Sequence, residues 1–424
     1  MHFIHFDLSE LLYGSSSRLS YHGIARTVVE VAYELAKGPE DVKFVIFSPA
    51  HQSFFYVDPT FTTKGNDLLC DLGLSAGASP LHLRRSFPNA HALRDLLSPV
   101  AVRVLRYVNM RRWQANRGDT LTPAAMRGQT LVAFTRPKIM VDYVEAMARQ
   151  KVQFRFCPLL HDMIPLHDIK DGKGPKFAHN FRHDNAEVIA GATLLLANSE
   201  FTKTEIALFS EKGLLPKNLS DICTIPLAHE FRDVDDGTPY EIPKGPYFLC
   251  VGTQTGRKNI ECVLKAMVIL EKAGRAVPRL VLAGARRKRT DTYLARPEFD
   301  GIRPQVAFRI NPSQAELGML YKQARGLVIP SRMEGWGLPL GEAMWLGTPG
   351  IAATADALKE VGGEHAFYFD PDVPDQLADI LSSLSTDDEA FYAAREAIQQ
   401  AKSSFRSWAQ VAQEVVNCVR PSAS

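Results

Sequence analysis

Glu334 and Glu342 stand out as side chains that could do chemistry. They lie eight positions apart in the stretch Pro330 to Gly350, PSRMEGWGLPLGEAMWLGTPG. A charged carboxylate accepts hydrogen bonds from hydroxyls, each worth roughly 1.5–3 kcal/mol. Gly335, Gly337 and Gly341 let backbone amides approach a ligand with no Cβ in the way. Leu338 precedes Pro339, which suits the first position of a helix, and the unpaired N–H groups of such a helix make a natural seat for phosphate. Glu342 is then expected in that helix's first turn and Glu334 in the loop before it. Phosphate and hydroxyls bound in one crevice point to a sugar nucleotide. The plainer reading is that Glu342 favours the helix N-terminus electrostatically and Glu334 is a solvated loop acid.

Other polar residues fall at expected strand ends. Arg257 and Lys258 close the loop Gly252-Thr-Gln-Thr-Gly-Arg-Lys, just before Asn259, which is expected to cap the next helix. Both carry charge at neutral pH, and arginine can grip two phosphate oxygens at once. As ordinary surface cations they would need no ligand. His161 ends the run Phe154-Arg-Phe-Cys-Pro-Leu-Leu-His-Asp, and a neutral imidazole can both donate and accept. Gly23 lets the N-terminus of the following helix meet a ligand. Arg26, in that helix's first turn, opposes the dipole and wants an anionic partner, unless it simply faces solvent. His167, His183 and Asp184 show no recognised metal-ligand spacing.

The elements that must position these groups alternate strand and helix through both halves of the chain, which argues for two parallel-sheet domains. Expected strands in the first half are His2 to Leu8, Val42 to Ser48, Thr130 to Phe134, Phe154 to His161, Thr193 to Asn198 and Ile222 to Leu227. Those in the second are Tyr247 to Val251, Arg279 to Ala283, Val306 to Ile310, Gly326 to Ile329 and Phe367 to Phe369. The acidic, Pro- and Gly-rich run from Arg232 to Pro246 reads as a linker. The expected units are residues 1–235, residues 236–405, and a last helix within 406–424 that returns to the first half.

Between Phe54 and Thr130 the pattern is less clear. The segment His82 to Arg117 is basic, with Arg84, Arg85, Arg94, Arg103, Arg106, Arg111, Arg112 and Arg117 against one acid, Asp95. It reads as one or two basic amphipathic helices, able to lie on anionic lipid, to bind an acidic acceptor, or to pack on the core with a solvated arginine face. Nucleic acid fits poorly, because the basic cluster is local.

At 424 residues, 46% of them hydrophobic, the chain can build two cores, and its net charge of +2 excludes nothing. No apolar run approaches the roughly 18–20 residues of a membrane span. The start lacks the basic and long apolar regions of a signal peptide. The six cysteines form no CxxC pair, so buried reduced thiols in a cytoplasmic protein are expected.

The stretch around Glu334 and Glu342 closely resembles the signature of glycosyltransferase family 4, retaining enzymes of the GT-B fold. Its paired-acid pattern is intact, with Trp336 where the family usually has Phe, Trp345 at a small-residue place and Gly350 at a β-branched one. Gly252 to Asn259 is similar to the family's G-x-x-x-x-R-K-N element, and His161-Asp-Met-Ile-Pro to its His-Asp-x-Ile-Pro. The loop before Arg26 resembles that of members that build bacterial surface polysaccharides. The resemblance covers most of residues 155–370 and, more loosely, the N-terminus. It implies two Rossmann-like domains facing a cleft, with the donor on the second. Arg257 and Lys258 would neutralise the donor diphosphate, Glu334 hold sugar hydroxyls, and Glu342 the ribose. His161 would touch the transferred sugar. Gly23, Arg26, Ser199, Gly252, Gly335, Gly337 and Leu338 would complete the nucleotide-sugar site. It implies no metal or other cofactor and no protein general base, because the leaving phosphate often deprotonates the acceptor. GDP-mannose is the leading donor, with an oligosaccharide or lipid-linked acceptor at the inner face of the membrane. A dTDP- or UDP-sugar donor, a UDP-sugar epimerase of the same fold and a non-catalytic nucleotide-sugar-binding subunit are the alternatives.

Overall fold

The computed structural model describes residues 2–14, 23–38, 41–64, 67–74, 80, 94–116, 121–232, 237–252 and 256–420. The expected loop at 15–22, Arg84, Arg85, Arg117 and residues 253–255 lie outside these. Two sheets dominate. The first contains β1 (Ile4–Asp7), β2 (Val42–Ser48) and β3 (Ser53–Val57). A separate antiparallel hairpin follows, β4 (Thr60–Lys64) and β5 (Asp67–Asp71). The first sheet then continues with β6 (Thr130–Ala133), β7 (Arg155–Leu160), β8 (Leu195–Ala197) and β9 (Ile222–Thr224). Its order is β3-β2-β1-β6-β7-β8-β9, parallel except for β3. The second sheet contains β10 (Tyr247–Val251), β11 (Arg279–Gly284), β12 (Val306–Ile310), β13 (Gly326–Ile329), β14 (Gly350–Ala353) and β15 (Ala366–Phe369). It is parallel throughout, in the order β12-β11-β10-β13-β14-β15.

The central strands are short apolar runs buried at every residue, as strands covered by helices on both faces must be: Thr-Leu-Val-Ala in β6 and Gly-Leu-Val-Ile in β13. Strand order reverses at β1 and β6 in one sheet and at β10 and β13 in the other. The carboxyl ends at such reversals are where open α/β sheets bind ligands.

The helix Trp408–Val419 is the clearest link between the halves. Trp408, Val411, Ala412, Val415, Val416 and Val419 recur at helical spacing and are all buried, and the helix packs on Ile24–Ala36 of the first half. Each such valine contributes roughly 1.5–3 kcal/mol on burial. A capping box between Ser407 and Gln410 satisfies the helix start. The Trp408 indole N–H donates to the Glu230 carbonyl at 3.1 Å.

Several sequence expectations change. Cys223 on β9 and Cys418 on this last helix are joined as a disulfide, whereas reduced thiols were expected. Their sequence separation of 195 residues gave no spacing signal. The other four cysteines are free and buried. Asn259 does not cap the helix Ile260–Lys272 with its side chain; it takes a left-handed conformation and donates to the Pro371 carbonyl at 3.0 Å. The helix Lys176–Gly191 and the strands β3 to β5 were not anticipated. The described part of the basic segment is one helix, Arg94–Asn116. Among the described residues no helix is long and apolar enough to cross a membrane.

Candidate active site

A cleft of about 500 Å³ lies between the carboxyl ends of the two sheets. The loop after β13 places Glu334 in its wall, 9% exposed. Lys258 Nζ lies 2.5 Å from one carboxylate oxygen and Arg257 Nη1 3.2 Å from the other. Burial alone would raise the Glu334 pKa, but Lys258 and then Arg257 outweigh it and hold the carboxyl below its usual range. Glu334 is therefore ionised at neutral pH. Lys258 lines the cleft; Arg257 stands behind the acid, also anchored on the Met333 carbonyl at 2.6 Å.

Gly335 follows, and its lack of a Cβ is a packing requirement. A Cβ there would come within 2.1 Å of the His161 carbonyl oxygen of the first half. The Gly335 carbonyl accepts a hydrogen bond from Ser199 Oγ at 2.7 Å. Ser199 is fully buried and also accepts from the Thr202 amide, capping the helix Glu200–Glu211. It thus fastens the Glu334 loop to the first half and does not line the cleft wall, where it was expected; its neighbour Asn198 does. A second fastening lies nearby: Glu360 accepts from the Glu200 and Phe201 amides at 2.8 and 2.6 Å, so the second half caps a helix of the first.

Gly337 adopts φ +112° and starts the helix Leu338–Trp345, a conformation that favours glycine. Leu338 and Pro339 bring the helix mouth into the cleft, beside Gly252 at the end of β10. Gly341 serves another purpose than the one expected. It lies against His229 of the first half, whose Cα would be 3.0 Å from an added Cβ, so it admits a neighbouring element and not a ligand.

Glu342 is the fifth residue of its helix and not in the first turn, so the helix dipole does not account for it. It is buried, its Oε1 paired with Arg26 and its Oε2 accepting from the Tyr321 hydroxyl at 2.8 Å. Arg26 thus has the anionic partner its position demanded, but that partner comes from the opposite half. The Arg26 guanidinium also lies 5.5 Å from the centroid of the Phe231 ring. Gly23, at φ +60°, precedes the helix Ile24–Ala36 and lines the cleft with Arg26.

His161 ends β7 in the cleft wall. Its Nε2 meets the Phe134 carbonyl at 2.6 Å, a contact only a ring N–H can make. Burial pushes its pKa down against that hydrogen bond, so the ring is neutral with Nδ1 as its acceptor. Asp162 beside it also lines the cleft, its pKa raised by burial. Asp7 at the end of β1 is a buried acid of another kind. It accepts from the Ser9 amide and hydroxyl, Thr135 and Tyr143, which fully engages it within the first sheet.

The structure therefore gathers Gly23, Arg26, His161, Gly252, Lys258, Glu334, Gly335, Gly337, Leu338 and Glu342 in one cleft wall, with Arg257 and Ser199 directly behind it. Sequence reasoning missed Asp162, Asn198, Arg287 and Gln314, which line the same cleft. Arg287 had a visible signal, the run Arg286 to Arg289 just beyond β11. Gln314 had none. Among the described residues no group of three or more His, Cys, Asp or Glu side chains is placed to hold a metal ion; His167 pairs instead with Glu205.

The chain is similar to known proteins in sequence and in fold. Residues 238–404 match the family model described as glycosyl transferases group 1. The chain is 31% identical over 182 residues to O-antigen chain mannosyltransferase B of Escherichia coli, covering 43% of this chain and 47% of that protein. It is 32% identical over 132 residues to O-antigen chain mannosyltransferase RfbU of Salmonella typhimurium, covering 30% of this chain and 35% of that one. Both matches span less than half of the relative's own length. Among solved structures, sucrose-phosphate synthase from Thermosynechococcus elongatus superposes with a TM-score of 0.61 at 16% identity, over 99% of this chain and 98% of that one. Likeness at that identity speaks for the fold alone. The fold is thus the two-sheet GT-B type, and residues 238–404 carry a match to the group 1 glycosyl transferases, with similarity to bacterial sugar transferases.

Proposed function

We propose that this chain transfers a hexosyl group from a nucleoside-diphosphate sugar to a glycan acceptor, retaining the anomeric configuration. One observation carries the reading: an ionised Glu334 held against Lys258 and Arg257 beside the mouth of the helix Leu338–Trp345. As the glycosidic bond to the diphosphate breaks, charge develops on the leaving oxygen. Lys258, Arg257 and the helix mouth stabilise it electrostatically. Glu334 accepts from hydroxyls of the sugar. Glu342, oriented by Arg26 and Tyr321, has lone pairs left for ribose hydroxyls. Neutral His161 offers its Nδ1 to the transferred sugar. The acceptor proton passes to the departing phosphate oxygen on the same face.

Similarity to two O-antigen chain mannosyltransferases favours mannose, and GDP-mannose as donor. The test is transfer or hydrolysis with a panel of GDP-, UDP- and dTDP-sugars, with products separated by mass. Transfer from GDP-mannose is expected. Turnover of a dTDP- or UDP-sugar alone would replace the donor assignment. Release of a converted sugar nucleotide without acceptor would replace the reaction with epimerisation, and binding without turnover would leave a non-catalytic subunit.

The helix Arg94–Asn116 supports peripheral contact with anionic lipid at the cytoplasmic face. Val100, Val104 and Tyr107 are 60%, 55% and 57% exposed, and Arg103 and Arg111 share their face. Co-sedimentation with phosphatidylglycerol vesicles but not with phosphatidylcholine vesicles is the expected result. Equal recovery with both would end this part of the reading.

A further inference from the structure

Glu30 lies one turn beyond Arg26 on the helix Ile24–Ala36 and is fully buried, yet it does not line the cleft. Two guanidinium groups share its carboxylate. Arg26 Nε lies 3.9 Å from Oε1, and Arg232 Nε donates to Oε2 at 2.5 Å. Arg26 continues to Glu342 in the cleft wall. Arg232 is steadied on its outer side, donating from Nη2 to Glu34 at 2.6 Å and lying 4.7 Å from the centroid of the Tyr33 ring. Charges of alternating sign therefore run Glu342, Arg26, Glu30, Arg232, out of the cleft and back to the joint between the halves. Arg232 begins the run that leads into the second half, and nearby Glu230 accepts from the Trp408 amide at 2.8 Å, where the last helix returns.

Stability is a poor explanation for this arrangement. A desolvated acid shared by two arginines seldom adds net stability over apolar side chains of the same volume. What it supplies is position. A guanidinium drawn by two carboxylates, one from each half, sits where their pulls balance. Arg232 sets that balance. By taking up part of the Glu30 charge, it lets Arg26 reach across to Glu342. Without Arg232, the buried Glu30 pulls harder and draws the Arg26 guanidinium away from Glu342.

We propose that Glu30 and Arg232 are positioning residues that act through Arg26 to orient Glu342 for the donor's ribose, and so set nucleotide affinity from outside the cleft. The two act in opposite directions: Arg232 favours the Arg26–Glu342 pair and Glu30 competes with it. This inference rests on the proposed nucleotide-sugar reading.

The test is calorimetry on the full chain with GDP, UDP and inorganic pyrophosphate, with a melting curve for each variant. In Arg232→Met the preferred nucleoside diphosphate is expected to bind about fivefold more weakly, while pyrophosphate, which has no ribose, binds unchanged. Adding Glu30→Gln removes the pull on Arg26 and should restore affinity to within about twofold of the natural protein. Arg232→Lys keeps a charge beside Glu30 and should keep the affinity. A merely structural role gives the opposite result, because a second buried substitution deepens the damage. Natural affinity in folded Arg232→Met, an equal loss for pyrophosphate, or no recovery in the double variant overturns the inference and leaves the reading of the site intact. If Arg232→Met does not fold, Glu30→Gln alone decides: nucleotide binding at least as tight as in the natural protein supports the inference, and weaker binding overturns it. Failure of the natural protein to bind any of the three overturns both.

Discussion

The two halves meet the cleft with different chemistry. The second half presents charge: an ionised Glu334, the cations Arg257 and Lys258 that hold it, and a helix mouth. The first half presents His161, which burial keeps neutral, and the Asp162 carboxyl, whose pKa burial raises, with His229 packed just behind. Its buried cation Arg26, in the cleft wall, is already committed to Glu342 across the interface. In the proposed reaction the diphosphate takes the charged wall and the hydroxyl-rich glycan the other. The same sheet architecture therefore serves two roles, and the side chains at the strand ends make the difference.

The contrast can be broken most forcefully at Lys258. Lys258→Ala removes a cation from the leaving-group side and leaves Glu334 with less compensation. Transfer is expected to fall about 10²–10³-fold, with weaker binding of nucleoside diphosphate. Glu334→Gln separates the two components of that wall. Transfer should fall on a similar scale, while nucleoside diphosphate alone binds as well or better, because Lys258 is released from its carboxylate. If both variants transfer sugar at near-natural rates, the charged wall is not the reacting one.

The join between the halves is the next target. Arg26→Met strands a buried carboxylate on the far side of the interface and should cost about 3 kcal/mol in denaturant unfolding. A loss within experimental error would mean that Glu342 is held by Tyr321 alone.

The smallest effect tests the buried histidines of the first half. Burial lowers the His5 pKa from 6.5 to about 4. Unfolded His5 takes up a proton near pH 6.5 and folded His5 only near 4, so stability present above the higher value is lost as pH falls through that interval. His161 and His229 act in the same direction, whereas Asp7 and Glu360, raised by burial, oppose them. Comparing melting temperatures at about pH 7.5 and about pH 5 should show a smaller acid loss in His5→Gln than in the natural protein. An equal loss would remove His5 from the account.

Most of the second half was readable in advance because its signals are local. A strand, a glycine-bearing loop and a helix start lie within about twenty consecutive residues around Glu334, and chain geometry alone brings them together. The region from Phe54 to Thr130 was unreadable for the opposite reason. The short edge strand β3 and the hairpin β4–β5 carry little periodicity, and tertiary packing decides their state. Ser199 was named as a site residue, yet its hydroxyl holds the Gly335 carbonyl from 136 positions away. Gly341 was named for a ligand and instead admits His229.

The sequence by itself determined the paired acids, the Arg-Lys couple, the alternation of strands and helices and the apolar stripe of the last helix, because each is written in residues close along the chain. Only the tertiary structure decided which charges neutralise which. Lys258 reaches Glu334 across 76 positions and Arg26 reaches Glu342 across 316. It also joined Cys223 to Cys418 and left the buried Gln314 amide unpaired at the cleft wall. Such pairings depend on how two separately built sheets dock, and residue spacing carries no information about that docking.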